Sequence, residues 1–397
     1  MALSVFWFLY LGALGILLPY FSLYLSDNAG LGGTEVGIVV TMSPLAALVA
    51  PTFWGRIADR SPSRARILAL AALGATASTA TLAVLEGFWQ LAAGAAALAV
   101  FSTGVMPLAV SVTLAELGDA AMHGFGRIRV WGTVGFLILV VLFPVVLHAF
   151  QRAFGLAASG AGPSEPGLWI MFPVASLLIA GSVLVALTIP EAPRIAAASA
   201  RGDWLELRRH GPFVRLLAIS FATFLLGQGP MSLFPLYLRA RGRGLDTLSE
   251  MWILMLLLEI PLLAFSGAGL RRFGARGVLA AGIAAGGVRW LVCGLTHDIR
   301  AIYAMQLLHG VTVAGVGVGA ALYLEASVPR RLRSTCQGLN ATAGVGVGSS
   351  LSNVATGWLM DHANADAPFV IGGAGTLLLA LLVPVLLPAP QRLGSDP

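Results

Sequence analysis

The chain reads as twelve long apolar stretches separated by short polar breaks. They cover roughly 3–25, 35–58, 67–85, 89–113, 127–149, 168–188, 213–238, 248–270, 277–295, 299–323, 334–358 and 368–388, numbered here as spans 1 to 12. A helix needs about 20 apolar residues to cross hydrocarbon, and each stretch is near that length. None keeps the apolar–polar alternation over roughly 10-residue segments that marks a membrane β-barrel. In lipid the backbone must satisfy its own hydrogen bonds, so such runs form helices. The expected fold class is an all-α membrane protein with twelve transmembrane helices.

Composition removes the soluble alternatives. Charged residues make up 11% of the 397 and hydrophobic ones 57%, against about 25% charged in a soluble domain. Length alone would suggest two or three soluble domains, at about 150 residues each, but their surfaces could not be kept polar. The net charge is +6, and every basic residue is an arginine in a short loop or at a helix mouth, except Arg289 inside span 9. This pattern points to membrane topology and not to a nucleic-acid partner. With the N-terminus inside, the inner loops and C-terminus hold 18 arginines and the outer loops 5. Both termini are then cytoplasmic by the positive-inside rule. The outer cluster Arg239, Arg241 and Arg243 runs against the rule. It reads either as side chains snorkelling to the interface or as a patch that steers anions. Cys293 and Cys336 lie in apolar stretches, so no disulfide framework is expected. The first apolar run lacks a basic lead and is too long for a cleavable signal. The location expected is a bacterial inner membrane, with multiple passes.

The longest connector, 189–212, holds Pro190, Pro193 and an Ala-rich run, then Trp204-Leu205-Glu206-Leu207-Arg208-Arg209. It reads as a cytoplasmic linker with a short amphipathic helix. It separates a bundle of spans 1–6 (1–188) from a bundle of spans 7–12 (213–397). The halves repeat. Leu23-Tyr24-Leu25 recurs as Leu236-Tyr237-Leu238, 213 residues on, and Gly55-Arg56-Ile57-Ala58-Asp59-Arg60 corresponds to Gly267-Ala268-Gly269-Leu270-Arg271-Arg272, 212 residues on. Six-plus-six repeats about a linker fit a transporter whose bundles rock around a site near the midplane.

The Gly-x-x-x-Asp-Arg loop after span 2 and the six-plus-six plan resemble the major facilitator superfamily over the whole chain. Phe125-Gly126-Arg127-Ile128-Arg129-Val130-Trp131-Gly132 at span 5, Gln306-Leu307-Leu308-His309-Gly310 in span 10 and Leu18-Pro19-Tyr20-Phe21 in span 1 are similar to the phenylpropionate permease group. More distantly they are similar to lactose permease and nucleoside–proton symporters. The resemblance implies the major facilitator fold and gradient-driven transport.

An ionisable side chain inside a span costs about 2.5–3.5 kcal/mol even on insertion scales, so each needs a partner. Glu259 in span 8, Arg289 in span 9 and His309 in span 10 stand out. Glu259 and Arg289 would neutralise each other across one cavity, and His309 could donate to Glu259. The resemblance to lactose permease implies that these three form a proton-coupling cluster. A static ion pair holding three helices together is the other reading. The second carboxylate expected three residues past the histidine is replaced by Thr312, which leaves Glu259 as the proton carrier. Glu325 is expected to cap the inner helix end near Arg330 and Arg331.

Arg129 shares a helix face with Thr133 and Phe136 by i, i+4, i+7 spacing. The resemblance implies that it contacts substrate, although Ser111 stands where the family has a span 4 carboxylate. The alternative is an inner-face anchor, the role expected of Arg127. Two arginines facing a cavity would take a carboxylate through bidentate pairing. Tyr20, Tyr24, Trp131, Phe136, Tyr237 and Trp290 offer aromatic walls, and Gln228, Gln306 and Asn340 offer hydrogen bonds to substrate or to neighbouring helices. By the same resemblance Asp59, with Arg60, is a gating residue that faces the start of span 11, where the helix dipole favours an acid. The Gly expected after Asp-Arg is missing, since Ser61-Pro62 follows. Gly344, Gly348 and Ser352, and Gly315 and Gly319, are small-xxx-small runs that allow close helix approach.

No Walker loop, metal-spaced His or Cys cluster or nucleophile elbow appears. No enzyme, cofactor or metal is therefore expected. The function expected is proton-coupled import of a small organic solute, such as an aromatic or other monocarboxylate, by a monomer in the lipid bilayer. Nucleoside or sugar symport, drug or metabolite efflux by antiport, and a non-transporting membrane sensor remain as alternatives.

Overall fold

The computed structural model describes residues 1–118, 121–156, 165–190, 207, 209–264, 266–329 and 332–388, with side chains at all of these except 121–123, 263–271 and 334. Apart from Leu207 and Arg209, the amphipathic helix expected at 204–209 lies outside the described residues, as do Arg330 and Arg331.

All regular structure among the described residues is helical. Ten helices are long and apolar enough to cross a membrane, and they stand at spans 1–7, 9, 10 and 12. Leu245–Ala264 stands at span 8, and the rod from Arg333 to His362 at span 11. The all-helical plan is as the sequence predicts, and the helices at all twelve positions are consistent with its twelve spans.

The interruptions follow from local chemistry. Span 2 divides into Gly33–Ala46 and Ala50–Arg60, because Pro44 removes a backbone donor and crowds the preceding turn while Pro51 suits the first turn of a new helix. Span 7 divides into Gly211–Ser232 and Phe234–Ala240, with Pro230 and Pro235 on either side of the break. Before span 9, Gly274 takes φ of 67°, a left-handed conformation that favours glycine.

Cα proximity groups the chain into two compact units, Met1–Ala197 with Leu238–Glu250, and Ala198–Tyr237 with Met251–Pro397. The sequence placed 238–250 with the second bundle; this segment instead packs with the first unit. Arg239 forms an ion pair with Asp27 and lies 4.0 Å from Glu165. The Leu245 amide donates to Glu165 at 3.2 Å, and Tyr20 and Ser249 share a hydrogen bond of 2.6 Å. Arg239 is thus neutralised locally, which corrects both readings of the outer arginine cluster at this position.

Helix pairing repeats between the units. Spans 1 and 5 pack together, as do 3 and 6. In the second unit 7 packs on 11, and 9 on 12. Gly15 and Gly135 seat spans 1 and 5 backbone to backbone, since a Cβ at Gly15 would lie 3.0 Å from the Phe136 Cα. The second unit is held by a core that includes Phe213, Leu216, Ile219, Leu279, Ile283, Tyr323, Leu324 and Val383.

Spans 10 and 11 each carry a π-helical insert, Ala314–Val318 and Thr342–Gly348. Both inserts use one phrase, Ala-Gly-Val-Gly-Val-Gly, at 314–319 and again at 343–348. Glycine weakens the α-helix, and small side chains leave room for the wider turn. Such turns often mark functional sites.

Candidate solute cavity and charged network

A cavity of about 520 Å³ lies within the second unit. Its walls come from spans 7, 9, 10, 11 and 12. Phe224, Met231, Trp290, Val313, Val316 and Val345 supply apolar surface. Ser220, Thr223, Gln228, Thr312, Gln337, Asn340 and Thr376 supply hydroxyls and amides, and Arg289 and His309 bring the titratable groups. Both π-helical inserts contribute: Val316 and Gly317 from the first, Val345 from the second. A Cβ at Gly317 would meet nothing within 4 Å, so this glycine borders open space. The Asn340 Oδ1 is buried and without a hydrogen-bond partner.

The charged side chains form one chain of contacts. Arg289 is 2% exposed. Its Nε and Nη2 donate to Gln306 Oε1 at 3.0 and 2.7 Å, and its Nη1 donates to His309 Nδ1 at 2.9 Å. Met231 and Met255 sulfurs lie 3.6 and 3.5 Å from Nη2, and the guanidinium sits 4.0 Å over the Trp290 ring. On the far side of the imidazole, His309 Nε2 is 3.5 Å from Glu259 Oε2. Arginine has no acceptor, so His309 Nδ1 must accept, which puts the neutral ring's proton on Nε2, facing Glu259. The three residues singled out by sequence are therefore brought together. The expected Glu259–Arg289 neutralisation is not direct, because His309 stands between them.

Glycine permits this approach. A Cβ on Gly310 would lie 2.7 Å from Glu259 N and 2.8 Å from its Cα, so span 8 reaches His309 only because position 310 has no side chain. Gly310→Ala is expected to part spans 8 and 10 by a few tenths of an ångström or more, at a cost of about 1–3 kcal/mol for overpacking. A thermal melt in detergent checks it; an unchanged melting temperature would contradict the contact.

The residues expected at the substrate site fall into two groups. Gln228 and Asn340 line the cavity. Gln228 also donates to Ser232 at 3.2 Å. Gln306 is fully buried and engaged with Arg289. Tyr237 is fully buried, donates to the Cys293 carbonyl and stacks on Phe234. Neither belongs to the cavity lining. In the first unit, Tyr20 is buried and donates to the Val140 carbonyl at 2.9 Å, and Tyr24 is buried edge-on to Phe172. Trp131 is half exposed. Arg129 lies 4.7 Å over the Trp7 ring, while Trp7 donates to Thr113 at 3.0 Å.

Asp59 pairs with Arg64 at 3.0 Å and is largely exposed, as is Arg60. Glu325 pairs with Arg333 at 2.5 Å. Phe224, Met231, Met255 and Gly317 were not singled out from sequence. Each sits in a continuous apolar or small-residue run with no local mark, though the repeated Ala-Gly-Val-Gly-Val-Gly phrase was a readable signal for Gly317.

The profile described as "MFS_1 like family" matches residues 1–371. A maltose permease of Geobacillus stearothermophilus is 26% identical over 99% of this chain and 95% of its own length. A protein of Escherichia coli K12 named "Probable 3-phenylpropionic acid transporter" is 25% identical over 82% of each chain. Among solved structures, the nucleoside transporter NupG superposes with a TM-score of 0.80 at 17% identity, covering 97% of this chain and 98% of its own.

Proposed function

The chain belongs to the MFS_1 like family of major facilitator transporters, multi-pass membrane proteins that bind small molecules and are not enzymes, and from that premise we propose that it is a proton-coupled importer of a small neutral organic solute. The solute is polar on one face and apolar on the other, as a glycoside or nucleoside is. One observation carries this reading: among the described residues, the only arginine lining the second-unit cavity has its bidentate face engaged by Gln306. A carboxylate entering there would find hydroxyls, amides and aromatic walls, but not the planar fork that recognises it. The buried Asn340 acceptor and the cavity hydroxyls suit hydroxyl donors on a sugar.

Proton coupling is assigned to Glu259, with His309 as its partner and Arg289 as the fixed charge. Alternation between two bundles, a monomeric state, cytoplasmic termini and a bacterial inner membrane complete the proposal. The 18-to-5 arginine distribution supports the orientation. Asp59 and Arg60 retain the proposed gating role.

A second reading is uptake of an aromatic monocarboxylate. It is favoured by Arg129, which stacks on Trp7 and has no hydrogen-bond partner among the described residues. Thermal shift of the purified protein against uridine, maltose, 3-phenylpropionate and benzoate separates the two, since a ligand that binds only the folded state raises its melting temperature. Stabilisation by a neutral solute, followed by its uptake into proteoliposomes under an inward proton gradient, supports the first reading. Stabilisation by the carboxylates alone transfers the site to Arg129.

A further inference from the structure

Arg289 is a buried cation held by a neutral side chain. Gln306, fully buried, is fixed at its nitrogen end, where Nε2 donates to the Ile302 carbonyl at 2.8 Å and approaches the Cys293 sulfur at 3.7 Å. Its oxygen is thereby the end that faces Arg289. The reversed amide would set donors against donors. Nε and Nη2 of the guanidinium close on that one oxygen, which leaves Nη1 aimed at His309 Nδ1. Residues 302, 306 and 309 lie on successive turns of span 10. The same helix therefore carries the clamp and the imidazole it orients.

We infer that Gln306 is a positioning residue: by clamping Arg289 it locks His309 as the Nε2–H tautomer facing Glu259. The consequence for coupling rests on the proton-coupled reading above; the tautomer itself does not. The choice of an amide matters. A carboxylate at 306 would neutralise Arg289 directly. A neutral clamp leaves the cation to be balanced through His309 by Glu259, so the guanidinium charge bears on the residue proposed to take the proton. Gln306 acts through Arg289 and touches neither the cavity nor Glu259.

The test uses the full-length protein in lipid nanodiscs, labelled with ¹⁵N in its imidazole rings, at an alkaline pH where histidine is neutral. His309→Gln identifies the signal. The wild-type protein is expected to show a single tautomer with Nε2 protonated. Gln306→Leu, which has no acceptor, is expected to lose it to a mixture of tautomers, and Gln306→Met, similar in volume but with only a weak sulfur acceptor, is a second variant with the same expectation. Gln306→Glu, which restores an acceptor for the fork, is expected to recover the single tautomer. A thermal melt identifies the variants that fold. A wild-type His309 protonated on Nδ1, or a tautomer that Met and Leu at 306 leave unmoved, overturns the inference. This readout needs no solute and no proton gradient. Its outcome is therefore separable from the transport test of Glu259, which decides the coupling reading independently.

Discussion

Glu259→Gln is expected to abolish proton-driven accumulation of solute while counterflow exchange continues near the native rate. Among the described residues, Glu259 is the acid paired with His309, its Oε2 lying 3.5 Å from Nε2, and its side chain is 21% exposed. An ionised carboxylate at such depth carries a penalty of about 2.5–3.5 kcal/mol on insertion scales, so its charge is sustained by the His309–Arg289 relay behind it. On the proposed coupling, loading a proton would remove that charge and free the relay, and unloading would restore it. Glutamine mimics the loaded form in shape and hydrogen bonding but can neither gain nor release a proton. Exchange of labelled for unlabelled solute needs binding and reorientation without net proton movement, so it survives. Uphill uptake needs release, so it does not. The measurement is uptake into proteoliposomes with and without an imposed pH gradient, beside counterflow in the same vesicles. Uphill uptake retained by the variant would place the proton site elsewhere, and loss of both activities together would reduce Glu259 to a structural partner.

The triad could be read from the sequence because ionisable groups are rare in the spans and each announces itself. What the sequence did not convey was the order of contact. Arg289 and Glu259 have opposite charges and were expected to meet, yet the imidazole lies between them. The guanidinium turns toward Gln306, a residue expected to contact solute. Amides and tyrosines in spans are ambiguous in this way. The same Gln or Tyr serves a ligand or a neighbouring helix, and only the packing decides. Tyr237 went to the Cys293 carbonyl and Tyr20 to the Val140 carbonyl and Ser249, whereas Gln228 and Asn340 reached the cavity.

The all-helical plan and the order of the helices followed from apolar length alone, since a bilayer-crossing helix needs little beyond about 20 apolar residues. The assignment of 238–250 to the first unit did not follow. It depends on Asp27 and Glu165, which lie far from Arg239 and Leu245 in sequence and carry no local sign of their partner. The glycine runs were legible as sites of close approach, but their different roles were not. Gly315 and Gly317 stand two residues apart in one phrase, one against another helix and the other against open space.

That contrast gives a large expected stability effect at one position and little at the other. At Gly315 a Cβ would lie 2.7 Å from Gly282 N and 2.8 Å from the Val278 carbonyl oxygen, and a Cβ at Gly282 would lie 2.6 Å from the Gly315 Cα. Each glycine faces the backbone of the other helix, which cannot rotate away as a flexible side chain would. Gly315→Val must therefore separate spans 9 and 10 along the face that carries Arg289 and His309. Overpacking costs about 1–3 kcal/mol and occasionally more, and contact with backbone on the opposing side puts this substitution at or above the upper end. Gly317→Ala adds a Cβ where nothing lies within 4 Å. It also restricts the unfolded chain, so it is expected to be neutral or to stabilise by about 0.4–1 kcal/mol. Melting both variants beside the native protein in one detergent is the check. A large loss at 315 with little change at 317 is the expected pattern; equal losses at both would mean that the shared phrase, and not the contact between spans 9 and 10, sets the stability.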